Sequence, residues 1–222
     1  KYERFGHWKD TAVMLEGKAV DSFLVLFLQM WSITERQMVV KPYLAKHDKK
    51  RKAKGYVIPY GDSPLDTDKI GENVYIDILN HAREYVYIMT PYLILDGEME
   101  TALKFAAERG VDVTLILPGI PDKKMVYRLS RSYYPELLKE GVKIYEYKAG
   151  FIHSKSFVCD DVIATMGTTN LDFRSLYLHF ECGCCLYDTK CIKDMKLPPN
   201  ICYPFVKLGA KLFGHFNLEE TD

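Results

Sequence analysis

The sequence predicts an α/β layered domain, on three observations. Between residues 69 and 147, segments with helical spacing alternate with short runs of buried, strand-forming residues. From 153 onward the chain turns strand-rich. Of 222 residues, 48% are apolar, which is enough to build a sizeable core in one domain or two.

The elements follow in order. Residues 7–15 alternate loosely and stop at Glu16-Gly17, which reads as a strand and turn. The apolar run from Ala19 to Ile33 is too long for one strand and reads as a buried helix. Asn73–Tyr85 has helical spacing, and Val86–Thr90 is a short strand stopped by Pro91. Gly97–Arg109 is a helix capped by Asp96 and ended by Gly110. Val111–Leu117 is a strand closed by Pro118-Gly119, and Lys123–Lys139 is a helix broken or restarted at Pro135. Val142–Tyr147 is the next strand, and three more are expected at 153–159, 162–166 and 176–187, with a last helix over Thr189–Lys196. Alternation of this kind buries a sheet between helices. No repeat of solenoid period is present.

Composition narrows the function classes. Thirty basic residues balance thirty acidic ones, so net charge supplies no argument for nucleic-acid binding. No secretory signal opens the chain, and no initiator Met does; it is expected to be a piece of something longer. The run Ala19–Trp31 contains Asp21 and Gln29 and falls short of the roughly 20 apolar residues a membrane span needs, so a soluble domain is expected. Six cysteines lie late, at 159, 182, 184, 185, 191 and 202. Their spacing does not match paired Cys-x2-Cys knuckles, and reduced thiols on a strand are the expectation. Residues 46–54 form a basic run followed by Gly55, Pro59, Gly61 and Pro64, and 46–68 reads as a linker. Two readings fit the basic run: a solvated linker, or contact with an anionic membrane. Two also fit 205–216, which mixes lysines with bulky apolar residues: an interfacial amphipathic helix, or a segment packed on the domain.

The chemistry concentrates around His153. In a strand-like stretch, positions i and i+2 share a face, so His153 and Lys155 are presented side by side. That pair suits phosphate: the ammonium neutralises an oxygen, and the imidazole attacks phosphorus or shuttles a proton. Asp160 closes the segment at a turn. Gly167-Thr168-Thr169-Asn170 follows the next strand, with the Gly allowing a tight turn and Asn170 able to donate its amide to a phosphate oxygen. Glu181, on a later strand, is the expected carboxylate for one ring nitrogen of His153. Asp172 and Arg174 read as a structural ion pair. A lone His-x-Lys is most often a solvated face; the fixed offsets of Asp160 and Asn170 argue otherwise.

This pattern, His153-x-Lys155-x4-Asp160 with Gly167-Thr-Thr-Asn170, resembles the HKD motif of the phospholipase D superfamily. The flanking blocks Thr90-Pro-Tyr-Leu, Arg109-Gly-Val-Asp-Val, Leu117-Pro-Gly-Ile-Pro-Asp-Lys, Leu138-Lys-Glu-Gly-Val-Lys-Ile-Tyr-Glu-Tyr and Asn170-Leu-Asp-Phe-Arg-Ser resemble bacterial cardiolipin synthase. So does Gly6-His7-Trp8-Lys9-Asp10-Thr11, which is similar to the strand following that family's first motif.

The resemblance implies a layered α/β/α sandwich of phospholipase D type, with 1–45 as the tail of a first lobe, 69–196 as the second lobe and 197–222 as an extension. It implies two HKD motifs meeting at one site, of which this chain holds only the second; the missing first lobe is then a required partner. It further implies phosphatidylglycerol as substrate, a phosphohistidine intermediate with neither metal nor cofactor, and a bacterial cell membrane setting. His153 carries the acid–base role, Lys155 and Asn170 the phosphoryl oxygens, Glu181 the orienting role, and Asp160 structural support. Two further readings stay open: a phosphodiesterase or nuclease built from two single-motif chains, and a non-catalytic membrane-surface module. Neutral charge and the remnant of a first lobe weigh against the former.

Overall fold

The structure, a computed structural model, describes residues 2–44, 46, 54–195 and 202–205. A short helix α1 (Tyr2–Phe5) and strand β1 (His7–Lys9) lead into a long helix α2 (Ala19–Glu35). Strand β2 (Tyr56–Asp62) and helix α3 (Ile70–His81) follow, then β3 (Tyr85–Met89), the two-residue β4 (Leu93–Ile94) and helix α4 (Gly97–Glu108). Strand β5 (Asp112–Pro118) precedes helices α5 (Lys124–Ser132) and α6 (Tyr134–Lys139), with Pro135 in the first turn of α6, where its missing N–H costs nothing. Strands β6 (Lys143–Tyr147), β7 (Gly150–Ile152), β8 (Ser156–Cys159), β9 (Ile163–Gly167) and β10 (Leu171–Asp172) come next. Helix α7 (Phe173–Tyr177), β11 (Glu181–Tyr187), a 3₁₀ turn (Lys190–Met195) and β12 (Cys202–Phe205) close the described chain.

The main sheet has eight strands in the order β12-β6-β5-β3-β8-β9-β11-β2. Strands β3, β5 and β6 run parallel, joined by α4 and by the α5–α6 pair; the remaining neighbours are antiparallel. Two small parallel pairings, β1 with β7 and β4 with β10, sit apart from this sheet.

Alternation along the central strands explains the layers, because successive side chains leave opposite faces. Val86, Ile88, Leu115, Phe157 and Cys159 face one way, against Tyr75, Leu79, Met99, Leu103 and Leu137 of α3, α4 and α6. Val158, Ala164, Met166, Cys184 and Leu186 face the other way, against Val13, Leu15, Phe23 of α2 and Ile192. Each fully buried Leu or Phe contributes about 1.5–3 kcal/mol, so the α3/α4/α6 face carries most of the core energy. The result is the α/β/α sandwich that the sequence implied.

Several expectations need correction. The segment read as a linker contains β2, which pairs antiparallel with β11 from Tyr56↔Tyr187 to Asp62↔Glu181. Its Pro59 and Gly61 look like breakers, yet β2 is an edge strand, where Pro is tolerated. Gly61 lets α2 pack close: a Cβ there would lie 2.7 Å from the end of the Leu26 side chain, which would have to turn aside. Helix α2 forms where expected but contains no buried residue, and Phe27, Met30, Trp31 and Ile33 are exposed. The expected strand over 7–15 is only three residues long. The strand expected from 176 starts at Glu181, because Asp172 caps α7 by accepting the Ser175 N–H at 2.9 Å. That role replaces the expected Asp172–Arg174 ion pair, which is absent among the described residues. Cys159 and Cys184 are buried, and burial pushes their thiols up to about 12 and about 11. Residues 47–53, most of the basic run, lie outside the described residues, as does the segment 206–222.

Candidate active site

His153 and Lys155 occupy the three-residue link between β7 and β8, so they leave the sheet just before β8 begins. What fixes this link is β1. Parallel pairing sets Lys9 opposite Ile152, and the Lys9 carbonyl then accepts the N–H of His153 at 2.7 Å and of Ser154 at 3.3 Å. The strands approach closely only because position 150 is Gly, with φ of 155° and no room for a Cβ, which would lie 2.4 Å from the His7 carbonyl. Thr11 and Ser154 share a short hydroxyl–hydroxyl bond.

This clamp delivers Asp10 to the imidazole. Asp10 Oδ2 lies 2.9 Å from His153 Nδ1. Burial opposes the Asp10 charge, but the His153 bond, the Thr11 N–H at 3.1 Å and the Lys155 ammonium outweigh it and hold the carboxyl below its usual range. An ionised Asp10 accepts, so Nδ1 carries the proton and Nε2 the lone pair. Lys155 Nζ lies 3.0 Å from that Nε2 and donates to the His153 carbonyl at 2.6 Å. The two groups lie side by side as expected, but in a link and not on the strand over 153–159 that the i, i+2 argument assumed, since β8 begins only at Ser156. Burial lowers the Lys155 pKa, opposed by the carboxylates of Asp10, Glu181 and Asp172. Trp8 tilts against the imidazole, ring centroids 5.2 Å apart, and Phe151 backs both rings.

The Asn170 turn is built from β9 and β11. Gly167 N–H donates to the Lys155 carbonyl at 3.3 Å, which sets the turn beside the lysine. Gly167 serves a close approach rather than a left-handed turn: a Cβ would lie 2.5 Å from the Cys182 carbonyl. Thr168 donates its N–H to that carbonyl at 2.9 Å and accepts the Cys182 N–H at 3.0 Å. The Thr169 carbonyl accepts the hydroxyl of Tyr75, a core ring stacked on Phe157, and Leu171 N–H donates to Thr90 Oγ1. The buried Asn170 Oδ1 has no hydrogen-bond partner among the described residues.

Two expected site residues sit elsewhere. Glu181 does not touch His153. Its Oε2 accepts a short bond from Thr168 Oγ1, and its Oε1 lies 3.6 Å from His179 Nδ1. Its carboxylate holds the Asn170 turn, because β11 starts opposite that turn while the imidazole already faces Asp10. Asp160 lies beyond the far end of β8, on the order of 13 Å of strand away. At φ of 50°, its carboxylate accepts the N–H groups of Arg83, Glu84 and Tyr85 at 2.8–3.0 Å. It latches the start of β3, as structural support. Asp10, Trp8 and Thr11 were not read as site residues, although the block Gly6–Thr11 stood out in the sequence; an acid and a hydroxyl placed just after a short aromatic strand were the available signal.

Chemically, the arrangement is an imidazole with one nitrogen fixed by a carboxylate and the other facing an ammonium, with an amide-bearing turn alongside. Fixed positive charge of this kind binds and polarises a tetrahedral oxyanion, and the imidazole supplies nucleophilic or acid–base chemistry.

The fold and this site define the phospholipase D class. Nuc of Salmonella typhimurium, a phospholipase D family member, matches with a TM-score of 0.55 over 68% of this chain and 99% of its own, at 16% identity. Phosphatidylserine synthase of Haemophilus influenzae matches with a TM-score of 0.50 over 60% of this chain and 35% of its own, at 19% identity. The family described as cardiolipin synthase, PLD-like domain, matches residues 75–196. Cardiolipin synthase 2 of Bacillus anthracis is 41% identical over 196 residues, covering 88% of this chain and 38% of the relative. Cardiolipin synthase of Halalkalibacterium halodurans is 39% identical over 192 residues, covering 86% and 38%. The chain belongs to the cardiolipin synthase phospholipase D-like domain family. It spans 38% of the length of these two relatives. No described helix is long and apolar enough to cross a membrane.

Proposed function

We propose that this chain supplies one half of a phosphatidyl-transfer site that makes cardiolipin from two phosphatidylglycerol molecules at a bacterial cell membrane. The observation that carries the reading is the His153 imidazole held at Nδ1 by Asp10 and facing Lys155 at Nε2. The other half, with its own histidine, comes from the preceding lobe, of which residues 1–45 are the tail.

In the first step the partner histidine attacks phosphorus of one phosphatidylglycerol. A P–N bond forms, the P–O bond to glycerol breaks, and the leaving oxygen takes a proton from His153 Nε2. Neutral His153 then removes the proton of a terminal hydroxyl on the second phosphatidylglycerol. That oxygen attacks phosphorus, and the P–N bond breaks. Lys155 and Asn170 bind the phosphoryl oxygens throughout. The Lys155 ammonium lies 3.0 Å from the Nε2 lone pair. A phosphoryl oxygen draws it away and leaves Nε2 free to take up the proton it later gives. Asp10 stabilises the imidazolium, and Glu181 positions Asn170 through Thr168.

The test is lipid analysis of cells expressing the full-length parent, in a host without cardiolipin synthase of its own. Cardiolipin is expected with wild type and absent with His153→Ala. No cardiolipin from well-expressed wild type sinks the proposal.

A further inference from the structure

Helix α5 carries a surface that the site chemistry does not use. Its residues Lys124, Met125, Arg128, Leu129 and Ser132 are all exposed. At 100° per residue they fall on one stripe, in the angular order Lys124, Arg128, Ser132, Met125, Leu129. One flank of the stripe is cationic and the other apolar. Met125 is 83% exposed and Leu129 45%. Lys124 and Arg128 make no ion pair among the described residues, and no acidic side chain lies on the helix.

The inward face explains why the helix stays put without these residues. Arg131 Nε and Nη2 make a two-point contact to the buried Glu146 at 3.0 and 2.8 Å, joined by the hydroxyls of Tyr127 and Tyr134. Ser130 Oγ accepts the Leu93 N–H at 3.1 Å.

Position relative to the site matters too. The helix starts after Lys123, whose ammonium lies 5.2 Å from the Tyr92 ring centroid. Tyr92 lies 6.4 Å from Phe151, and Phe151 lies 6.2 Å from the His153 ring. The stripe therefore begins at the rim of the half-site.

We propose that this face of α5 docks the domain onto an anionic lipid bilayer. Lys124 and Arg128 meet the headgroups, while Met125 and Leu129 enter the interface. Adjacent cationic and apolar flanks are what an interfacial helix needs. The exposed apolar face of α2 lacks this character, since it carries Asp21 and Glu35 and no basic residue. The proposal deepens the lipid reading of the site and rests on it for the nature of the surface.

The experiment is co-sedimentation of the 222-residue chain with vesicles of phosphatidylcholine alone, or mixed with phosphatidylglycerol. Wild type is expected to prefer the anionic vesicles and to lose that preference as salt rises. Lys124→Glu/Arg128→Glu is expected to weaken anionic binding by about thirty-fold or more, each lost cation being worth about a factor of five before repulsion is added. Met125→Ser/Leu129→Ser is expected to weaken binding to both vesicle types several-fold. All four positions are exposed, and unchanged circular dichroism certifies the fold. Equal affinity for the two vesicle types, or charge variants that bind within twofold of wild type, overturns the proposal. Vesicles with phosphatidylserine in place of phosphatidylglycerol present the same charge without the substrate of the transfer reading and are expected to bind as well, so failure of the transfer reading and failure of the docking surface are read separately.

Discussion

Asp10→Asn is the sharpest single perturbation of the site. The Asp10–His153 contact is 2.9 Å long, and both partners are partly open to water, at 54% and 41% exposure. A charge-assisted bond contributes about 1.5–3 kcal/mol when sheltered, and exposure of this degree reduces it to about 1 kcal/mol in the resting protein. The loss is larger when the imidazole is charged during transfer, because an amide cannot stabilise an imidazolium as a carboxylate does. Asparagine also donates an N–H to Nδ1 and so favours the tautomer with the proton on Nε2. Together these predict a fall of about ten- to a hundred-fold in turnover of the full-length parent, with KM little changed. Nitrogen NMR of the 222-residue chain reads the tautomer directly, and Asp10→Asn is expected to move the proton from Nδ1 toward Nε2. Turnover within twofold of wild type, together with an unmoved tautomer, would refute the role given to Asp10.

Two further perturbations address the scaffold. Asp160→Ala removes the acceptor for three backbone N–H groups and is expected to cost about 2 kcal/mol in urea unfolding, while the folded fraction keeps its activity. Glu72 is buried beside Asp96; desolvation first, then the neighbouring carboxylate, raise it to about 7 from the ordinary 4.5, against the Tyr177 hydroxyl and Lys69. An acid raised on folding stabilises the folded state fully below 4.5, and this contribution is lost as pH rises through 7. Glu72→Gln is thus expected to flatten the fall in stability between those values and to gain about 1–3 kcal/mol above pH 8, as measured by unfolding across pH.

Much of the fold was readable because its signals are local. Asp96 accepts the Met99 N–H at 2.8 Å, as its cap position foretold, and Gly110 and Gly141 take positive φ just past α4 and α6. Strand β2 was hidden because breaker residues carry a different meaning at a sheet edge. The exposed face of α2 was hidden because hydropathy reports what a helix can bury, not what stands beside it. Within the site, His153, Lys155 and Asn170 stand out by their spacing in the sequence, a local property, although all three lie in links beside the strands and not on them. The choice between Asp10 and Glu181 is not local: both are acids near the right elements, and only the β1–β7 pairing places Asp10 on the imidazole.

That pairing has a temporal consequence. Asp10 and His153 lie 143 residues apart in sequence, so their contact closes one of the longest loops in the described chain. Contacts of such separation meet the full entropic penalty of loop closure and form late in folding. A growing chain reaches His153 long after Asp10 has left the ribosome, and until β1 seats against β7 the imidazole has no fixed tautomer. The Lys155 contact needs no such closure, because His153 and Lys155 are two residues apart; of the two groups on the imidazole, only the carboxylate depends on the long-range pairing.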